Sequence, residues 1–264
     1  MGVGKLAALI PIGLVCLIGG AQAQFNEGGR TPDQAQIGQP PEAEFQMGRL
    51  AYSARGCAGS RGWCNPWWAI DYPLAEAHFL PALARMTRTQ VADDSRAVTL
   101  DDDALYDYPW LILQQPGRGA WHPRGQQAAR LREYLRRGGF MMVDDFHGEY
   151  EWRAFQEAMQ EVLPDRPIID IPDGDPLLGI VFELDKNIQI PGDRHVRYGG
   201  GMRMEGPPHW RGIYDEKGRL MVAIGHNSDM GDGWEHADDP GYPTDRTAMA
   251  YRFGVNYVIY SMTH

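Results

Sequence analysis

Unbroken apolar runs, rather than alternating ones, mark the middle of this chain. Pro109-Trp110-Leu111-Ile112-Leu113 and Phe140-Met141-Met142-Val143 contain no polar position, the pattern of strands buried on both faces of a sheet. Between them, residues 123–137 place Leu131, Tyr134 and Leu135 on one face. Pro123 suits the first helical position, and Arg136-Arg137-Gly138-Gly139 suits the end, where the helix dipole favours cations and the cap favours glycine. Residues 149–163 repeat the helical period through Trp152, Phe155, Met159 and Val162 and stop before Pro164. Strand and helix therefore alternate, which predicts an α/β sandwich: a mostly parallel sheet with helices on both faces.

The flanking segments add weaker signals. Phe45 to Tyr52 reads as a first strand, and Asp71-Tyr72-Pro73 opens a helix with Asp71 as its cap and Pro81 as a kink or the start of a new turn. His78 on that helix reads as a satisfied core histidine. Ala97–Leu100 and Ile168–Ile171 read as strands, with Asp101-Asp102-Asp103 as a solvated turn, and residues 177–184 fit either strand or helix. Residues 185–208 predict a long irregular insertion. Two apolar runs, 209–214 and 219–224, flank Asp215-Glu216-Lys217-Gly218 and predict a C-terminal hairpin. A last helix over 244–262 starts at Thr244 as cap.

The start of the chain reads differently. Lys5, the apolar segment Leu6–Ile18 and Ala21-Gln22-Ala23 have the order of a secretory signal peptide over residues 1–23. A flexible leader follows over 24–44, then one folded domain over 45–264. The expectation is an exported, periplasmic or extracellular protein with no membrane span once the signal is cleaved. The formal charge of −10, one unit more negative without Lys5, argues against nucleic acid and anionic membranes as partners. A small polar ligand or an envelope protein fits better. Arginines such as Arg49 read as solvated surface. Cys57 and Cys64 close a short Gly-rich loop and in an oxidising compartment read as a disulfide. Trp63, Trp67 and Trp68 beside them form either a lid on the core or a stacking surface.

Candidate chemistry gathers at two places. Asp144, Asp145 and His147 leave the end of one strand, where open α/β sheets place ligands. His226, Asn227, Asp229, Asp232, Glu235 and His236 leave another. Facing each other, these loops would form a pocket, with Arg203 from the insertion as a cationic member and Asp145, His147, His226 and Asp229 as ligands for a divalent metal. The alternative is scaffolding: Asp144 and Asp145 as helix caps, and 225–240 as an exposed polar loop. Nucleophilic catalysis has no elbow motif to support it, and Ser228 near His226 and Asp229 is weak support for a triad.

Longer motifs carry a resemblance. Phe45-x3-Arg49-Leu50-x-Tyr52, Trp68-x2-Asp71-Tyr72-Pro73-x2-Glu76, Tyr108-Pro109-x-Leu111, Leu131-Arg132-x-Tyr134-Leu135-x-Arg137-Gly138-Gly139-Phe140, Asp144-Asp145 and Gly254-Val255-Asn256-x2-Ile259-Tyr260 together resemble domain-of-unknown-function family 4159. That family is similar in fold to class I glutamine amidotransferases and ThuA-like proteins. The resemblance implies a three-layer, flavodoxin-like sandwich and brings no activity with it. Where an amidotransferase has its nucleophilic cysteine, this chain has Asp144-Asp145-Phe146-His147, so glutaminase activity is not expected. Two functions stay open: an exported binding or accessory domain with a degenerate amidotransferase-like pocket, and a metal-dependent hydrolase of a polar substrate such as a glycan.

Overall fold

The structure is a computed structural model that describes Met1 and residues 43–54, 56–58, 65–198 and 205–264. The expected signal peptide, nearly all of the leader, Trp63, Cys64 and Arg203 lie outside the described residues.

In chain order the strands are β1 (Met47–Leu50), β2 (Cys57–Ala58), β3 (Asn65–Pro66), β4 (Arg96–Val98), β5 (Trp110–Gln114), β6 (Phe140–Phe146), β7 (Ile169–Asp170), β8 (His209–Tyr214) and β9 (Leu220–His226). The helices are α1 (Leu74–Thr87), α2 (Gln126–Arg136), α3 (Gly148–Val162), α4 (Asp193–Tyr198), α5 (Met230–Glu235) and α6 (Thr244–Thr263). Seven strands form one sheet in the order β4-β1-β5-β6-β9-β8-β7. The five from β4 to β9 are parallel, while β8 and β7 run antiparallel to their neighbours. Those five strands follow the 2-1-3-4-5 order of flavodoxin-type doubly wound sheets.

Period-two alternation sends successive side chains to opposite faces, and the apolar runs use both. Phe140 and Met142 join a core with Phe79, Trp234, Phe253 and Tyr257, so α1, α5 and α6 cover that face. Met141 and Val143 join Leu131, Leu135, Phe155 and Met159, under α2 and α3 on the other. The molecule is thus a three-layer sandwich with the β8–β9 hairpin completing the sheet. His78 accepts its expected structural role, with Nδ1 2.9 Å from the Trp234 carbonyl.

Several local expectations give way. Helix α1 runs through Pro81 without a break. Neither Asp71 nor Thr244 caps a helix: Pro73 and Pro243 hold those positions with no side-chain cap. Gly125 rather than Pro123 precedes α2. The polar stretch after β9 is not an exposed loop, because it folds into α5 and its Met230, Gly231, Gly233 and Trp234 are buried. Arg49 is not surface at all. It is 2% exposed and donates Nε and Nη2 to Glu76 Oε1 at 2.9 and 2.6 Å, with Nη1 on the Trp68 and Ile70 carbonyls. A buried charge needs such complete pairing, and the arginine thereby pins the segment leading to Asp71.

Candidate metal centre at the carboxyl ends of the strands

Left-handed backbone marks the carboxyl ends of β5, β6 and β9, at Gln115 (φ 51°) just past β5, Asp145 (φ 52°) one residue before the end of β6 and Asn227 (φ 59°) just past β9. Asp71, ahead of α1, shares it at φ 64°. Non-glycine residues seldom adopt this region, and such strain collects where function demands a particular direction. At Asp145 the β6–β9 register shifts between Val143 and Phe146. Strand alternation already turns consecutive carboxylates apart.

Asp144 goes under the sheet's helix layer. Its Oδ1 accepts from Met230 N at 3.1 Å and its Oδ2 from Gly231 N at 2.9 Å, so it caps α5 from across the fold. Burial pushes its carboxyl up to about 7 against those two hydrogen bonds. Asp145 goes the other way. Its Oδ1 lies 3.1 Å from His147 Nε2, and its Oδ2 accepts from the Gln115 amide. With Nε2–H donating to Asp145, the imidazole keeps its lone pair on Nδ1, which is buried and has no hydrogen-bond partner among the described residues. The Asp145 carboxylate thus orients the ring through Nε2, the nitrogen nearest to it.

Helix α5 supplies the facing wall. Asp229 caps it, Oδ1 accepting from Asp232 N at 2.9 Å. Asp232 Oδ2 in turn accepts from Asp193 N at 2.6 Å. Asp71 reaches the same floor, held by the Gln114 amide at 3.1 Å. These groups line a cavity of about 410 Å³ together with Trp67, Gln115, Arg118, Arg194, His195, Glu235 and His236. Arg118 stacks over the Trp67 ring at 4.6 Å.

Among the described residues, six carboxylates line the cavity (Asp71, Asp145, Asp193, Asp229, Asp232 and Glu235), with Arg118, Arg194, His147, His195 and His236. Burial, reinforced by neighbouring carboxylates, holds Asp71, Asp229 and Asp232 above the usual carboxylate range. Glu235 is pushed up to about 8 by burial and by Asp232. Asp145, His147 and Asp229 each offer a ligand atom within 4.8 Å of the other two, and so do Asp71, Asp229 and Asp232.

Of the residues singled out from sequence, Asp145, His147, Asp229, Asp232, Glu235 and His236 line the cavity. Asp144 does not line it, being spent on α5. His226 ends β9 beside them but faces elsewhere. It donates toward the Gly148 carbonyl (3.2 Å) and stacks between Trp152 and His209, with ring centroids 5.0 and 5.6 Å away. Burial and nearby Arg211 lower it to about 4. Asn227 is a clamp: its Nδ2 donates to the Glu205 and Pro207 carbonyls and its Oδ1 accepts from Gly148 N. Ser228 Oγ pairs with the Ile190 backbone, so no triad forms with His226 and Asp229. Sequence reasoning missed Asp71, which was read as a cap. It also missed Asp193 and His195, which stood in the insertion with no periodic signal.

Residues 47–262 match the profile of a domain of unknown function, DUF4159. The chain belongs to the DUF4159 family. A search of curated proteins gave no match. The DUF4159 match runs from β1 into α6 and so takes in every strand of the seven-stranded sheet and every cavity residue.

Proposed function

We propose that this DUF4159 domain binds a divalent cation through Asp145, His147 and Asp229 and uses it to hold a polar ligand. The observation that carries this reading is the convergence of Asp145, His147 and Asp229, all buried, whose ligand atoms lie within 4.8 Å of one another in the cavity. Oxygen donors with one imidazole suit Mn, Zn or a similar cation. The amidotransferase-like resemblance supports the place of the pocket. The presence of Asp144-Asp145-Phe146-His147 at the nucleophile position argues against glutaminase chemistry. The signal-like N-terminus and the Cys57–Cys64 pair support an exported setting.

A second reading, a metal-dependent hydrolase, is favoured by room. A cavity of about 410 Å³ lies in the ~300–1,000 Å³ range of small-molecule sites, leaving space for a substrate beside the cation. The cation would polarise a substrate oxygen, while Trp67 and Arg118 offer a flat wall for a polar substrate such as a glycan.

Melting curves with Ca, Mn and Zn test the reading. A cation that binds the native state raises the midpoint by mass action; Asp145→Ala should abolish the rise. No shift with any of the three would overturn it. Cation-dependent release of product from ester and glycoside substrates, lost in Asp145→Ala, would select the hydrolase over the binding domain.

A further inference from the structure

The cation cavity has a neighbour. Helix α1 leaves β1 over one face of the sheet and α2 leaves β5 over the other, so these two paired strands are the switch point at whose carboxyl ends doubly wound sheets open a crevice. Tyr52, just past β1, crosses that crevice. Its hydroxyl donates to the Gln114 and Gln115 carbonyls at the end of β5, each at 2.9 Å. Gln115 lines the cation cavity, whereas Tyr52 lines a second cavity of about 330 Å³ formed by the segments after β1, β4 and β5. Trp67 and Trp68 divide in the same way, one to each cavity. We propose that the second cavity is a separate binding site for a neutral, hydroxyl-rich ring, the chemistry of a glycosyl unit.

Its walls are held open. Trp121 is 3% exposed and packs on Phe155 with ring centroids 6.2 Å apart, and Trp68 is 9% exposed, its carbonyl accepting from the buried Arg49 guanidinium. Core packing therefore keeps both indoles from collapsing inward. Gly119 lets the loop after β5 close on Tyr52, because a Cβ there would stand 2.2 Å from the tyrosine hydroxyl. Ala120 lines the cavity with left-handed backbone, φ 54°, a conformation that a residue other than glycine holds only where the surrounding fold imposes it. The resulting space falls within the ~300–1,000 Å³ of small-molecule sites.

The lining sets the chemical class. Tyr52, Trp68 and Trp121 supply apolar surface, and no lysine or arginine stands among the described residues that line the cavity. Asp101 is the one carboxylate among them. Gln127 Nε2 donates to its Oδ2 at 2.7 Å, which leaves Asp101 Oδ1 and the Gln127 carbonyl oxygen as acceptors. His122 and Ser53 line the same space, and neither side chain has a hydrogen-bond partner among the described residues. A phosphate or sulfate would meet no fixed cation here, and a cation only Asp101. A sugar ring presents an apolar face to aromatic side chains and hydroxyls to planar acid, amide and imidazole groups, which is the complement of this lining.

Isothermal titration calorimetry of the full chain with mono- to tetrasaccharides of glucose, mannose, galactose and N-acetylglucosamine, run with Mn²⁺ and again in chelator, decides the matter. The expected result is saturable binding of at least one sugar, equal under both conditions because the site stands apart from the cation cavity. Ser53→Phe, at an exposed position on the cavity rim, should fill the opening and abolish binding. His122→Ala and Gln127→Ala should each weaken it about fivefold, the loss of one hydrogen bond. Binding that survives Ser53→Phe, or that disappears in chelator, would place the sugar elsewhere and overturn the proposal. No binding of any sugar in the panel would overturn it too, and would leave the cation reading standing. Because the wild-type titration is itself decisive, a Ser53→Phe variant that fails to fold does not shield the proposal, and the two alanine variants then carry the location.

Discussion

Asp144 Oδ2 accepts the Gly231 amide at 2.9 Å across 87 positions of sequence. With the Met230 contact beside it, one carboxylate under the sheet end fixes the start of α5, the element that carries Asp229 and Asp232. Hydrogen bonds to a charged group are worth about 1.5–3 kcal/mol each. Asn in place of Asp144 keeps one acceptor and turns an amide N–H against the other donor. Asp144→Asn is expected to lose about 2 kcal/mol in urea denaturation at about pH 8, and to weaken cation affinity although Asp144 touches no cation. Unchanged stability would remove Asp144 from this positioning role.

Stability of the cation-free protein should fall as pH rises. Asp144 and Glu235 titrate near 7 and 8 in the fold, against ordinary values of 3.8 and 4.5, and Asp71, Asp229 and Asp232 shift in the same direction. A carboxyl with a raised folded pKa binds its proton more tightly folded than unfolded, so stability declines between those values. His226, lowered from 6.5 to about 4, and His209, also lowered by burial, act oppositely, two imidazoles against five carboxylates. The chelated protein should melt higher at about pH 5.5 than at about pH 8, and excess Mn²⁺ should reverse the order. A midpoint that rises steadily with pH in chelator would contradict the assigned cluster.

Arg49 supports the site from a distance. Its guanidinium joins Glu76, itself held by Ser95, to the carbonyls before Asp71. Removing one partner of a buried ion pair leaves the other charge stranded, at a cost of about 3–5 kcal/mol. Arg49→Met should show that loss in chemical denaturation. Arg49→Met with Glu76→Gln should recover part of it, since the stranded carboxylate is gone. Equal losses in the single and double variants would mean that Arg49 acts through its backbone carbonyl contacts alone.

The layered fold could be read from the chain because its central strands carry the signature of double burial, and their neighbours the helical period. Phe140-Met141-Met142-Val143 alternates between two cores, so every position is apolar, and the pattern and the fold state the same fact. The site was half legible. Asp145, His147 and Asp229 follow strands and stand where such sheets bind ligands. Asp71 shares its local sequence with an ordinary helix cap, and only the left-handed turn at that residue sends its carboxylate inward. His226 failed for the converse reason. Its strand position is right, but stacking on Trp152 depends on α3, which no local pattern of β9 encodes.

The order of strands in space has a consequence for the chain as it is made. β6 lies between β5 and β9, and β9 begins 74 residues after β6 ends, at Leu220 against Phe146. Until that segment leaves the ribosome, β6 presents an unpaired apolar border that can pair with any other extended chain. The same delayed segment brings Asp229 and Asp232. Nascent chains therefore gain protection from aggregation and a complete cation site in a single late step, and translation arrested before residue 220 should yield a protein that aggregates and binds no metal.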